Sequence, residues 1–270
     1  MKKIILSLIG ALTITACSTT DKVTIDNIPD DTSQILVKNA SKYFEIINSI
    51  NSTEAAKIES SLLINAVAGG KKYNASGRGY YTKDPLNAKI IMNDNIFHFR
   101  VMDILVMDSK IKVYYPLEKT LVIDNFSSNA DTLNRSTGQS SNVLASLFVG
   151  KIPVIEKYKV VKLHEFTEES ETFLELENAN YSQTISFKND IPFRVIVKSR
   201  ISDQNFSIKY SGHFIQSDCH FFKTIEIVSR NPYSYIKINY TKTTVNGKFI
   251  PETTFVQKVP SDTKIVDLTE

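Results

Sequence analysis

The chain has 270 residues, and 42% of them are hydrophobic. This length is ample for a real core, in one large all-β domain or in two small ones. Lys and Arg number 32 against 29 Asp and Glu. This near balance of charge gives no electrostatic support for nucleic-acid binding.

Residues 1–16 are predicted to be a secretory signal segment. Two lysines precede an apolar run that is too short to cross a bilayer as an anchor helix. The run ends in Ile14-Thr15-Ala16-Cys17, which is similar to a bacterial lipobox, in which the cysteine is lipidated and becomes the mature N-terminus. An ordinary signal peptide cleaved nearby, with Cys17 incidental, is the alternative. Beyond Cys17 the chain holds one cysteine, Cys219, so no intrachain disulfide is expected.

Residues 17–32 are polar and are predicted to be a flexible tether between Cys17 and a domain at 33–270. Acyl chains on Cys17 would anchor the protein by burying methylenes, at roughly 0.8 kcal/mol each. Ser18 stands where many lipoproteins retained at the inner membrane have Asp. We therefore expect a lipid-anchored envelope protein at the periplasmic face of the outer membrane.

A helical period predicts an amphipathic helix over residues 33–51, which must lie on an apolar surface. Almost all of the chain after this helix is predicted to form strands with one buried and one solvent-exposed face, which is the pattern of antiparallel sheets. The strand candidates are 58–66, 73–82, 88–92, 103–108, 110–115, 119–124, 157–163, 171–177, 182–188, 192–199, 204–212, 221–229, 234–244 and 249–257.

One long interruption divides these strands. Residues 125–142 are rich in Ser, Asn and Thr, and they lead into a predicted short helix at 143–149. Such a helix is either a lid or plug over a cavity, or a cover for one sheet edge. The expected fold is mainly β: a single curved antiparallel sheet, forming an incomplete β-barrel of about 11–13 strands. The N-terminal helix and the short central helix would act as its lid.

Four segments, taken in order, resemble the LolA/LolB family of lipoprotein carriers. Residues 77–85 (GRGYYTKDP) resemble the family's glycine-containing second strand, and 105–116 (LVMDSKIKVYYP) resemble its hairpin and tyrosine-proline step. Residues 143–148 (VLASLF) stand where the family places a short central helix, and 254–260 (TFVQKVP) resemble its closing strand. The resemblance implies an incomplete barrel, lidded by helices, whose cavity takes up the acyl chains of lipoproteins.

The chain departs from the LolA pattern at one place. LolA-type carriers have an arginine before the proline that ends the second strand, and it latches the helical lid; here that residue is Asp84. LolB-type receptors lack this latch, are themselves lipoproteins, and present an apolar loop for membrane insertion. The candidates for that loop are Ile96, Phe97 and Phe99, although this segment equally fits another strand.

The first hypothesis for function is an acyl-chain-binding envelope lipoprotein that acts in lipoprotein sorting or insertion at the outer membrane. Its partners would be acyl chains, the membrane and a periplasmic carrier protein. The lid residues would be Phe44, Ile47, Leu144, Leu147 and Phe148. The residues expected to line the acyl-chain cavity, or else to fill the space as plain core, are Ile111, Val113, Tyr115, Leu174, Leu176, Ile185, Phe187, Phe193, Val195, Phe206, Ile208, Ile225 and Ile227.

Two other functions are the alternatives. A non-carrier sensor or assembly module on the same fold would bind a protein partner. An enzyme would need a reactive cluster, and the densest polar group is His213, Asp218, Cys219 and His220. Adjacent residues of a strand alternate faces, so these side chains are not expected to converge on a metal or to form a nucleophile pair. We therefore expect no enzyme activity, no metal and no cofactor.

Overall fold

The computed structural model describes residues 31–51, 55–125 and 151–269, apart from 69, 86, 109, 156, 167–169, 204, 231–232 and 249. The predicted signal segment and Cys17 lie outside the described residues. So do the predicted loop from residue 126 onward and the predicted central helix at 143–149, with Leu144, Leu147 and Phe148.

The predicted N-terminal helix is confirmed as α1, Asp31–Asn51, which begins within the last two residues of the predicted tether. Its buried side chains recur every three or four residues, as one face of a 3.6-residue period requires. They are Ala40, Tyr43, Phe44, Ile47 and Ile50.

The described residues also contain fourteen strands. They are β1 Lys57–Ala68, β2 Lys71–Thr82, β3 Asn87–Asp94, β4 Arg100–Met107, β5 Lys110–Tyr115, β6 Thr120–Asn125, β7 Lys159–Phe166, β8 Glu171–Glu177, β9 Tyr181–Lys188, β10 Ile191–Ser199, β11 Asn205–Gln216, β12 Cys219–Arg230, β13 Tyr233–Val245 and β14 Lys264–Asp267.

All fourteen strands belong to one sheet, in the order β14-β6-β5-β4-β3-β2-β1-β13-β12-β11-β10-β9-β8-β7. Two antiparallel meanders, β1–β6 and β7–β13, join where β1 pairs with β13. The sheet is curved and does not close, so β14 and β7 are its edges. The predicted fold class is confirmed, and the strand count exceeds the expected range by one.

The predicted alternation of buried and wet positions explains these strands. In β8 the side chains of Leu174 and Leu176 are fully buried, whereas Glu175 between them is half-exposed. In β12 the same alternation buries Ile225 and Ile227 and leaves Glu226 half-exposed. Each such strand turns one apolar face toward the interior of the curved sheet.

The strand predicted at 249–257 is wrong. Glu252–Phe255 form a turn of 3₁₀ helix, and this segment packs on the outer face of β3 and β4 through Ile250 and Phe255. The oxygens of Pro251 and Thr253 accept from backbone N–H groups within the segment, and the oxygen of Val256 accepts from Lys89 Nζ at 2.7 Å. The chain re-enters the sheet only at β14, which pairs in parallel with β6.

Among the described residues, no helix combines the length and the apolar character needed to cross a membrane.

Candidate functional site

The inner face of β7–β12 carries a large apolar cluster that α1 covers, called here the helix-covered cluster. Most of the predicted cavity residues belong to it, and the helix supplies the predicted lid residues Phe44 and Ile47. Phe206 packs against its margin. The predicted cavity residues buried within it are Leu174, Leu176, Ile185, Phe187, Val195, Ile208, Ile225 and Ile227.

A second apolar cluster, the β1–β5 cluster, lies on the other half of the sheet. It contains the predicted residues Ile111, Val113 and Tyr115, together with buried residues of β12 and β13. None of the α1 side chains described, from residue 39 onward, belongs to it. Tyr240 packs against both clusters, so the apolar surface continues from one half of the sheet to the other.

Phe193 is the predicted cavity residue that joins neither cluster. It stands at a register irregularity in β10, where Pro192 and Arg194 pair with consecutive residues of β9. A bulge of this kind leaves the extra residue unpaired in the ladder and re-aims its side chain. Phe193 is half-buried there.

Polar contacts fasten α1 to the sheet at the margin of the helix-covered cluster. The Tyr43 hydroxyl donates to Glu165 Oε1 at 2.8 Å and lies 2.9 Å from Thr172 Oγ1. Burial raises the pKa of Tyr43, so its hydroxyl keeps its proton at neutral pH. Lys42 pairs with Asp190 at 2.7 Å in an exposed salt bridge. These contacts join the amphipathic helix to β7, to β8 and to the turn between β9 and β10, and the exposed ion pair contributes little of the stability.

A buried clip that the sequence analysis missed ties the segment 151–155 to both α1 and β9. The side-chain amide of Asn51 donates to Ile152 O at 2.9 Å and accepts from Ile152 N at 2.7 Å. Gln183 accepts from Ile155 N at 2.9 Å and donates to Pro153 O at 2.7 Å. Its signal in the sequence is a glutamine at a position where the alternation of β9 expects an apolar residue.

The loop between β3 and β4 projects two large apolar side chains into solvent. Ile96 and Phe97 are 76% and 75% exposed, and the Phe97 and Phe99 rings stack with centroids 6.3 Å apart. Asp94 Oδ1 accepts from the backbone N–H of both Ile96 and Phe97 at 2.8 Å, and these bonds lower the pKa of Asp94. The candidate membrane-insertion residues therefore lie in an ordered loop and not in a strand.

The polar cluster of the sequence analysis separates into two parts. Cys219 is fully buried, and its thiol donates to Ser217 O at 3.3 Å. His213 and His220 meet across two strands, with Nε2 and Nδ1 2.9 Å apart. Burial lowers the pKa of both imidazoles. In the described part of the chain, no three His, Cys, Asp or Glu side chains are grouped so as to hold a metal ion.

Solved structures of three bacterial proteins share this architecture. A domain from Vibrio parahaemolyticus, described as an outer membrane lipoprotein-sorting protein domain, superimposes with a TM-score of 0.53 at 12% identity, over 83% of this chain and 97% of its own. A LolA superfamily protein from Nitrosomonas europaea superimposes with a TM-score of 0.52 at 10% identity, over 79% of this chain and 96% of its own. The chain has the LolA-like fold.

The third structure is a DUF1329 family protein from Desulfovibrio piger, with a TM-score of 0.54 at 12% identity, over 80% of this chain and 96% of its own. No protein-family model matches the chain, and no curated protein matches it. The resemblance stated from the sequence is thus confirmed at the level of the fold. A shared fold does not by itself carry a shared activity.

This LolA-like chain fastens its helix without the arginine of LolA-type carriers. Asp84, which replaces it, is exposed at the turn between β2 and β3. The polar contacts of the helix that the structure describes include those of Lys42 and Tyr43 near its middle and of Asn51 at its end.

Proposed function

We infer that this chain is an acyl-chain-binding lipoprotein of the bacterial envelope, which acts in the sorting or insertion of lipoproteins at the outer membrane. One observation carries the proposal: an amphipathic helix covers a large apolar cluster on the inner face of a curved, unclosed sheet. The proposed role is binding, not catalysis.

The contact between α1 and the sheet is of a kind that an acyl chain can replace. It is largely apolar, so it has little directional preference, and a hydrocarbon chain gains about 0.8 kcal/mol for each methylene removed from water. Among the polar contacts that oppose release of the helix are the hydrogen bonds of Tyr43 and the exposed pair Lys42–Asp190. Displacement of α1 would open the helix-covered cluster to a lipid tail.

The fold neighbours support this proposal. One is described as an outer membrane lipoprotein-sorting protein domain and one as a LolA superfamily protein. The lipobox-like sequence before Cys17 supports lipid anchoring, and the exposed loop at Ile96 and Phe97 supports a second contact with the membrane. A periplasmic carrier would then deliver or receive the cargo.

A photoreactive fatty-acid probe tests the proposal. We expect saturable binding that unlabelled fatty acid competes away, with cross-links in peptides that contain Leu176, Phe187 or Ile225. Exclusive labelling of the outer face, or the absence of saturable binding, would contradict it. Capture of a defined protein partner with no dependence on lipid would favour the sensor or assembly module.

Lipid anchoring has a separate test in the native host. A metabolically incorporated fatty-acid label should appear on the wild-type protein and be lost completely from Cys17→Ala. A label that persists in Cys17→Ala would show that Cys17 is incidental.

A further inference from the structure

The β11–β12 hairpin brings two histidine side chains together. Its turn residues Ser217 and Asp218 have positive φ angles of 50° and 57°, as a two-residue turn of type I′ requires. The register set by this turn makes His213 and His220 diagonal neighbours on one face of the hairpin. They are separated by seven positions in the chain, so the pairing depends on the turn.

The two imidazoles hold a defined geometry. His213 Nε2 lies 2.9 Å from His220 Nδ1, and the ring planes are inclined by 32° with centroids 5.1 Å apart. The ring of Phe222 packs against His213 at 5.4 Å and restricts its rotation. Both histidines are half-exposed, so water reaches the space beside the two nitrogens.

The separation of the nitrogens matches the spacing of two ligands on a metal ion. Nitrogens bound about 2.0–2.1 Å from an ion, in adjacent positions 90° apart, lie about 2.8–3.0 Å from each other. At 2.9 Å the two nitrogens already stand at the spacing of two ligands, and both rings must turn on binding so that the lone pairs converge on one ion instead of sharing a proton.

We propose that His213 and His220 form a two-histidine site for a divalent transition-metal ion, with Cu(II) bound most tightly. We expect Cu(II) to bind most tightly because, among the divalent ions of the first transition row, the affinity for imidazole ligands is highest for Cu(II). Water completes the coordination, since the described residues hold no group of three His, Cys, Asp or Glu ligands.

The protons balance without a change in net charge. In the metal-free pair one of the facing nitrogens carries a proton and donates it to the other. When the metal binds, each facing nitrogen presents a lone pair, and that proton moves through solvent to the second nitrogen of its own ring. Both imidazoles remain neutral.

The test is a titration of the full, tag-free chain in detergent with Cu(II), after treatment with a chelator. We expect one saturable site whose electron paramagnetic resonance spectrum shows coupling to two nitrogens. His213→Ala and His220→Ala should each weaken binding at least tenfold. His98→Ala and His164→Ala are the matched controls and should leave it unchanged.

A second readout does not depend on variants that fold. Cu(II) added below one equivalent should broaden two of the four histidine ring signals in the proton spectrum of the wild-type protein. Uniform broadening of all four, or unchanged Cu(II) affinity in the double variant of His213 and His220, would overturn the proposal.

Discussion

The side chain of Asn51 holds the segment 151–155 against the end of α1. It meets both the N–H and the C=O of Ile152, at 2.7 and 2.9 Å, and both residues are buried. An unpartnered buried polar group costs about 1–3 kcal/mol. A single side chain therefore stabilises the join between the end of α1 and a segment 101 residues further along the chain.

We predict that Asn51→Ala lowers the free energy of unfolding by about 2–4 kcal/mol, because two buried backbone groups lose their partners. Denaturant unfolding followed by circular dichroism measures this. Asn74→Ala, at an exposed position of β2, is the control and should change stability by less than about 0.5 kcal/mol. Equal effects of the two substitutions would show that the clip contributes nothing.

Gly77 is a position in β2 where a side chain would collide with the neighbouring strand β3. A Cβ added there would lie 2.7 Å from the carbonyl oxygen of Ile91 and 3.8 Å from Leu62 Cβ. The first contact is with backbone, which cannot rotate away. Residues 77–85 resemble a LolA-type strand partly through this glycine. The close approach of the Ile91 carbonyl oxygen explains why a glycine stands there.

Gly77→Ala is expected to destabilise the protein by about 1–3 kcal/mol, since β2 and β3 must separate to admit the methyl group. The midpoint of thermal unfolding reports it. Ser76→Ala, one residue earlier on the same strand, should leave that midpoint nearly unchanged. A tolerated Gly77→Ala would mean that the two strands are not so closely packed.

At the scale of elements, α1 is the part whose movement matters for the proposed function. Its sequence alone predicted the helix and its apolar face, because a 3.6-residue period is a local property. The contacts that seat it could not be predicted, since Tyr43 meets residues more than 120 positions away. The failed strand at 249–257 has a related cause: apolar alternation there serves packing on the outer face of β3 and β4.

We expect Tyr43→Phe to speed the uptake of a fluorescent acyl probe about fivefold. Loss of its hydrogen bonds weakens the seating of α1 by about 1 kcal/mol, which raises the population of the displaced helix by that factor. Stopped-flow fluorescence measures the rate, and Tyr233→Phe, which is exposed, is the control. A lowered stability with no change in rate would mean that α1 stays seated during uptake.

At the scale of the whole molecule, the sheet separates its functions in space. The β3–β4 loop and the β11–β12 turn lie at opposite ends of the strands, as the register of the antiparallel pairs requires. The apolar clusters lie between them on the inner face. A membrane contact at one end therefore leaves the histidine pair at the other end free.

Phe97→Asp is expected to reduce binding to phospholipid vesicles at least tenfold, because burial of one aromatic side chain contributes about 1.5–3 kcal/mol. Co-flotation of a chain that begins at residue 18, and so lacks Cys17, isolates this contact from the anchor. Ile215→Asp, at an exposed apolar residue (59%) at the other end of the sheet, is the control. Equal loss in both variants would exclude a specific role for the loop.

The sequence by itself determined the helix, thirteen of the fourteen strands and the apolar character of the inner face. These features depend on the spacing of apolar residues within each segment and on the turn residues between segments, and both can be read directly from the sequence. Only the tertiary structure decided that the predicted cavity residues other than Phe193 divide between two clusters. It also decided that Asn51 and Gln183 bind the segment 151–155 and that His213 faces His220. These follow from long-range packing and from strand register, in which a shift by one residue moves every side chain to the opposite face.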